Sequence, residues 1–311
     1  MRSRPPVSPA PLALPSFARG LLLALLVLGG PGPAAAAQDG TWLEFDGGEA
    51  LELPADPALD LDGGAFTLEA WIRPLAWGQN DQGRIFDHGG GSSGDSGWAL
   101  HLENGSNRGL PATLRVQIND DSSFNGLADP GAITLGVWQH VAVTFDAGTL
   151  RFFVDGLPVG TRTGVPVPVA RSEATRIGLR TTDTKRGFDG GIDDVRIWSQ
   201  ALSQGQIQAR MGSPLSGSEP GLVVYYPLDE GAGQTAEDLG PNAIDGTLGL
   251  SPAPDERDPV WGPDAVNGDA VNGAWGPVLP WPHIAVSMAN LPDGRVLTWS
   301  GSERRTWPST E

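Results

Sequence analysis

The chain has 311 residues, enough for one domain of about 200 residues with additional segments. Its 37 acidic against 20 basic side chains leave a formal net charge of −17. That charge repels a phosphate backbone, and no basic stripe with interleaved aromatics is present, so nucleic acid is excluded as a partner. The absence of cysteine rules out thiol catalysis, Cys-ligated zinc and iron–sulfur chemistry in this chain.

Arg2, Arg4 and Arg19 precede an apolar run at 21–28, followed by Gly-Pro breakers and alanines at 34–37. A basic start, a short apolar run and small residues at the exit predict a secretory signal peptide over 1–37. The run is too short to span a bilayer comfortably and no later segment is long enough. The mature chain is therefore expected to be secreted, periplasmic or part of the cell envelope, without crossing a membrane.

From Trp42 onward, short apolar segments alternate with Gly, Asp, Asn and Ser turns. Phe66, Leu68, Ala70 and Ile72 recur with the period of two that marks a strand. Val137, Val141, Val143 and Phe145 share one face of the next clear strand, with Trp138, His140 and Thr144 on the other. Segments 150–154 and 157–161 flank Asp155-Gly156, whose residues tolerate positive φ and so predict a hairpin. A further strand is expected over 192–198, then a short helix over 203–211 capped by Ser203 and stopped by Gly212 and Pro214. Residues 251–280 have linker composition, with a near-repeat of Asp-Ala-Val-Asn-Gly at 264 and 269. Two apolar segments, 283–291 and 295–299, then meet around Pro292-Asp293-Gly294. The pattern predicts an all-β chain: an antiparallel sandwich over 38–250, a linker over 251–280, and a short strand pair within 281–311.

Several motifs together resemble the laminin-G-like, pentraxin-related jelly-roll family. They are Leu43-Glu-Phe-Asp-Gly-Gly, Phe66-Thr-Leu-Glu-Ala-Trp-Ile-Arg-Pro, Trp138-Gln-His-Val-Ala-Val-Thr-Phe-Asp, Leu150-Arg-Phe-Phe-Val-Asp-Gly and Phe188-Asp-Gly-Gly-Ile-Asp-Asp-Val-Arg-Ile-Trp. Tyr226-Pro-Leu-Asp-Glu-Gly and Asp238-Leu-Gly-Pro-Asn look like the segment that borders such domains. The resemblance implies a concanavalin-like sandwich acting as a non-catalytic binding module for carbohydrate or a surface ligand. The stretch from Trp275 to the Leu291-Pro-Asp-Gly-Arg-Val-Leu-Thr-Trp-Ser motif resembles the opening blade of a galactose-oxidase-like propeller. On that reading the sequence is a fragment of a longer protein. Two alternatives follow: a structural or adhesive spacer, or the accessory domain of a propeller enzyme whose catalytic part lies elsewhere. With no cysteine, and only Tyr225 and Tyr226 as tyrosines, both outside the propeller-like stretch, this chain cannot assemble a copper-radical centre.

Calcium takes six to eight oxygens, mostly from carboxylates and backbone carbonyls, and relatives of this fold often carry such a site. The expected ligands are Asp46, Asp189 and Asp193, with Asp194 alternating to the other side of the strand and Asp238, Asn242 and Asp245 forming a second oxygen-rich cluster. The competing reading makes these side chains turn caps. Glu44, Asp46 and Glu49 echo the acid arrangement of retaining glucanases, but the glycines between Asp46 and Glu49 disturb strand alternation. Trp77, in a Gly/Asn/Asp-rich stretch, is the candidate for stacking on a sugar ring, whereas Trp138 and His140 read as packing. The glycine run from Gly89 lacks the lysine and the helix of a phosphate loop.

Overall fold

The computed structural model describes residues 40–89, 97–104, 112–119, 125–171 and 173–262, together with the strands at 287–290 and 296–299. The signal peptide, the repeat at 264 and 269, and most of the expected linker lie outside the described residues.

In chain order the strands are β1 (Leu43–Asp46), β2 (Leu51–Leu53), β3 (Ala65–Pro74), β4 (Arg84–His88), β5 (Trp98–Asn104) and β6 (Ala112–Ile118). Next come β7 (Asn125–Leu127), β8 (Gln139–Asp146), β9 (Thr149–Val154), β10 (Leu157–Thr163), β11 (Thr175–Ile177) and β12 (Asp189–Trp198). The helix α1 (Gln204–Arg210) precedes β13 (Leu222–Tyr226), β14 (Thr235–Ala236), β15 (Gly246–Leu248) and β16 (Val260–Trp261). The first sheet runs β10-β9-β8-β3-β12-β1-β16, with β13 also paired to β12. The second runs β14-β15-β2-β11-β4-β5-β6-β7. A separate antiparallel pair, β17 (Ser287–Asn290) and β18 (Val296–Trp299), falls within the segments where a strand pair was expected.

Alternation along each strand decides which face meets the other sheet. Phe66, Leu68, Ala70 and Ile72 of β3 are fully buried, as are Trp98, Leu100 and Leu102 of β5 and Ile192, Val195 and Ile197 of β12. They join one core between the sheets, where each large apolar side chain contributes about 1.5–3 kcal/mol by leaving water. Asp155 and Gly156 both take positive φ, the two-residue turn that matches strand twist, and close the β9–β10 hairpin. Val137 differs from expectation. The strand starts at Gln139, and Val137 precedes it as an exposed residue.

A second apolar cluster lies on the outer face of the first sheet, where Ala142, Phe153, Trp198 and Tyr225 meet Leu202 and Ile207 beneath α1. At its start, Ser203 and Gln206 form a reciprocal capping box. Side chains from the sheet take the carbonyls at its end: Trp71 Nε1 donates to Met211 O (2.7 Å), and Arg196 donates to Arg210 O (2.8 Å) and Ser213 O (2.9 Å). Gln204 and Gln208 both donate to Gly156 O, fixing the helix to the β9–β10 turn. Trp71 and Trp198 hold this layer in place.

The sandwich extends further than its composition suggested. Val260 and Trp261, inside the expected linker, pair with Glu44 and Leu43 as the edge strand β16, and Gly262 N donates to Trp42 O. The Pro/Asp-rich approach is ordered by Asp255 and Asp258, which accept the Arg257 and Asp255 amides. Composition reports flexibility and carries no information about such long-range pairing. Among the described residues no helix is long and apolar enough to cross a membrane.

Candidate functional site

The outer face of the second sheet is polar but occupied by its own side chains. Arg115 pairs with Glu103 at 2.7 Å, Gln82 donates to the same carboxylate at 2.9 Å, and Arg84 pairs with Asp87 at 2.9 Å while meeting His101. All six of these charged or amide groups are buried. Buried charges are tolerable when paired in this way, and this ladder reads as structure.

The expected calcium ligands do not converge. Asp46 and Asp189 are direct cross-strand partners on β1 and β12, and burial followed by the charges of Asp46 and Glu44 raises the Asp189 carboxyl above its ordinary value. Asp193 lies four residues further along β12, about 13 Å at strand rise, and its Oδ1 accepts the Asp194 amide at 2.8 Å. A bulge between Asp193 and Arg196, with Asp194 at φ +49°, breaks the expected alternation of Asp193 and Asp194. Burial raises both carboxyls above their ordinary values; the Asp194 charge adds to the rise at Asp193, and the Asp229 charge adds to both against the opposing Arg196. Among the described residues no group of three acidic or histidine side chains is arranged to hold a metal ion. Two facing carboxylates are fewer oxygens than calcium takes, so Asp46 and Asp189 do not complete a site by themselves.

The second oxygen-rich cluster is a turn. Asp238 accepts three backbone amides, from Tyr225 (2.8 Å), Gly240 (2.8 Å) and Ile244 (2.9 Å), while Asp245 accepts the Asp238 amide and Asn242 donates to Val223 O. Its lone pairs are used in holding the 238–245 loop against β13. Asp238→Ala should therefore destabilise the sandwich by about 3 kcal/mol, since bonds to a charged acceptor contribute about 1.5–3 kcal/mol each and relaxation recovers part of the loss. Urea unfolding measures this, and a loss below about 0.5 kcal/mol would contradict the assignment.

The remaining candidates are engaged in packing or turns. Glu44 accepts from Trp42 Nε1 (2.7 Å) and pairs with Arg73 (2.9 Å), and Glu49 accepts the Asp46 and Gly48 amides. The Arg73 guanidinium lies over both Trp42 and Trp138, whose rings meet edge-on at 5.6 Å. Gly191 leaves room for that pair, since an added Cβ would sit 2.7 Å from Trp138. His140 is buried edge-on to Trp71, and burial pushes its imidazole down to about 3. Trp77, expected as an exposed indole, is instead half-buried and packs against the main core. The local Gly/Asn/Asp composition predicted a solvent-facing loop, but the core edge beneath it was open.

One concavity of about 450 Å³ has polar groups that remain available. Its floor is the outer face of β8, β9 and β10, where Thr144, Arg151 and Thr161 stand in one cross-strand row. Phe153 and Pro158 form the next row, Asp146 closes the other end, and Ala201 to Gln204 with Gln206 form the wall. Thr67 holds that wall, donating to Gln200 O and accepting the Leu202 amide. Arg151, Asp146 and Thr161 are exposed on this floor and neither Arg151 nor Asp146 forms an ion pair among the described residues, whereas Thr144 is buried at 1% exposure. Sequence reasoning missed this place, because Arg151 reads as an ordinary solvent-facing strand residue.

Two antiparallel sheets enclosing one core, with a short helix on an outer face and grooves rather than an acid constellation, define a jelly-roll β-sandwich. The chain belongs to the concanavalin A-like lectin/glucanases superfamily, whose family profile matches residues 45–208, just over half of it. It is similar to adhesion G-protein coupled receptor V1 of Danio rerio, 24% identical over 151 residues, which are 48% of this chain and 2% of that protein. It is also similar to pappalysin-1 of Mus musculus, 28% identical over 180 residues, which are 54% of this chain and 11% of that protein. The chain thus spans only a small part of the curated relatives it matches. Among solved structures, a protein from Bacteroides ovatus described as carbohydrate-binding superposes with a TM-score of 0.54 at 22% identity, over 68% of this chain and 58% of that one. That likeness is one of fold.

Proposed function

We propose that this chain is an exported, non-catalytic module that binds carbohydrate in the groove between β8–β10 and α1. The observation that carries the reading is the groove's mixed lining. Thr161, Arg151 and Asp146 are exposed and offer donors and acceptors for sugar hydroxyls, and the exposed Pro158 offers an apolar surface for a sugar's C–H face. The side chains on which a glucanase-type reaction was considered, Glu44 and Glu49, are held in an ion pair and a turn. The Bacteroides ovatus protein of like fold carries a carbohydrate-binding description, which supports the ligand class while the groove supplies the argument.

The test is a glycan array probed with residues 38–262, run in calcium and again in chelator. Binding in both conditions is expected if the groove acts alone. Binding only in calcium would bring in Asp46 and Asp189 with further oxygens, and silence in both conditions would leave the spacer reading in its place. The strand pair β17–β18 favours a second reading, in which the sandwich is the accessory domain of a larger propeller protein. An intact mass of the natural protein well above that of residues 38–311 supports this reading, and a mass that matches them removes it.

A further inference from the structure

From the groove's charge pattern we infer that its ligand is an acidic saccharide whose carboxylate is held by Arg151; this rests on the carbohydrate reading above. Arg151 is exposed at the centre of the groove floor, and its direct cross-strand neighbours are Thr144 on β8 and Thr161 on β10. An arginine on an antiparallel sheet is stabilised by an acid directly opposite it. Here both neighbours carry hydroxyls, and no ion pair joins Arg151 to any described residue. Its planar fork can therefore present two parallel N–H groups to one carboxylate, with the exposed Thr161 hydroxyl beside it to hydrogen-bond the same ligand.

Arg151 is also the one cation among the residues that line the groove. A single guanidinium suits a monoanion, whereas a phosphate dianion would meet one cation, Asp146 and a chain of formal charge −17. Asp146, at the far end of the row pattern, is placed to accept from sugar hydroxyls. The first turn of α1 adds nothing to anion binding, because Ser203 and Gln206 are already bonded to each other and to its amides. The helix serves as a wall.

The experiment compares uronate- and sialate-bearing glycans with their carboxyl-reduced, neutral counterparts, using the wild-type protein, Arg151→Gln, Arg151→Lys and Lys185→Gln. Lys185 is exposed in the 181–187 loop, so Lys185→Gln controls for the loss of one positive charge. The expected result is preference for the acidic series, lost by about 10- to 100-fold in Arg151→Gln, partly kept in Arg151→Lys and unchanged in Lys185→Gln. A thermal melt confirms that the exposed substitution leaves the fold intact. Equal binding of the acidic and reduced series, or acidic binding that Arg151→Gln does not weaken, overturns the inference and leaves the carbohydrate reading standing. Preference for sulfated over carboxylated glycans overturns it as well. If the wild type binds no member of either series, the carbohydrate reading itself falls.

Discussion

Arg196→Met should destabilise the sandwich by about 3–5 kcal/mol, the cost of stranding a buried partner charge, and lower its melting temperature by about 10 °C for a domain of this size. Arg196 is 1% exposed and sits beneath α1. It grips Asp194 with two bonds, at 3.1 and 2.6 Å, and donates to Arg210 O and Ser213 O. It also lies 5.4 Å from the Tyr225 ring centre. Methionine would fill much of the volume, but it would leave the Asp194 carboxylate, whose side chain is only 14% exposed, and two carbonyls without donors. Arg176→Met is the comparison. Its ion pair with Glu52, at 2.8 Å, is partly open to solvent, with side chains 16% and 29% exposed. Such pairs contribute about 1 kcal/mol or less. Chemical unfolding of both variants tests the contrast, and equal small losses would show that Arg196 does not anchor the helix layer.

The second expected effect is on pH. Glu69, which accepts from Trp198 Nε1 at 2.8 Å, is pushed up to about 7, mainly by burial and against the opposing charge of Arg196. Its ordinary value is 4.5. Between pH 4.5 and 7 the folded chain keeps a proton that the unfolded chain has released. Stability from this group is therefore full below pH 4.5 and is lost as pH rises toward 7, by about 3 kcal/mol in all. Glu69→Gln keeps an acceptor for Trp198 and removes the titration. Relative to wild type, it should gain about 3 kcal/mol over that window.

His140 acts in the opposite sense. Burial, with the charge of Arg196 second, lowers its imidazole from 6.5 to about 3. Its contribution is present above pH 6.5 and is lost as pH falls toward 3. With its Nε2 3.5 Å from Glu69 Oε2, the two groups offset each other in the overlapping range. Unfolding curves at stepped pH for wild type and Glu69→Gln give the answer. A constant difference between the two across pH 4.5–7 would mean that Glu69 is not protonated in the folded chain.

Much of the scaffold was legible because burial and alternation coincide. Phe66 to Ile72 and Val141 to Phe145 announce their inward faces in the order of residues alone, and Ser203 and Asp155-Gly156 carry their own cap and turn chemistry. What stayed hidden depends on residues distant in sequence. The edge strand β16 is two residues long and exists only through pairing with β1. The Asp194 bulge reflects the fit of β12 against β3, and alternation alone misplaces the acid there. Asp238 could be read as ligand or cap until Tyr225, Gly240 and Ile244 were seen to aim their amides at it. The surroundings of Arg151, namely Thr144, Thr161 and the segment before α1, come from strands and a wall that are adjacent only in the fold.

The most direct test is a backbone amide shift map recorded while the saccharide bound most tightly on the array is added to residues 38–262. The largest shifts are expected at Thr144, Arg151, Thr161 and Gln204, with Arg84, His101 and Arg115 on the opposite sheet unmoved. Shifts concentrated on that opposite face, with the β8–β10 row silent, would contradict the groove reading.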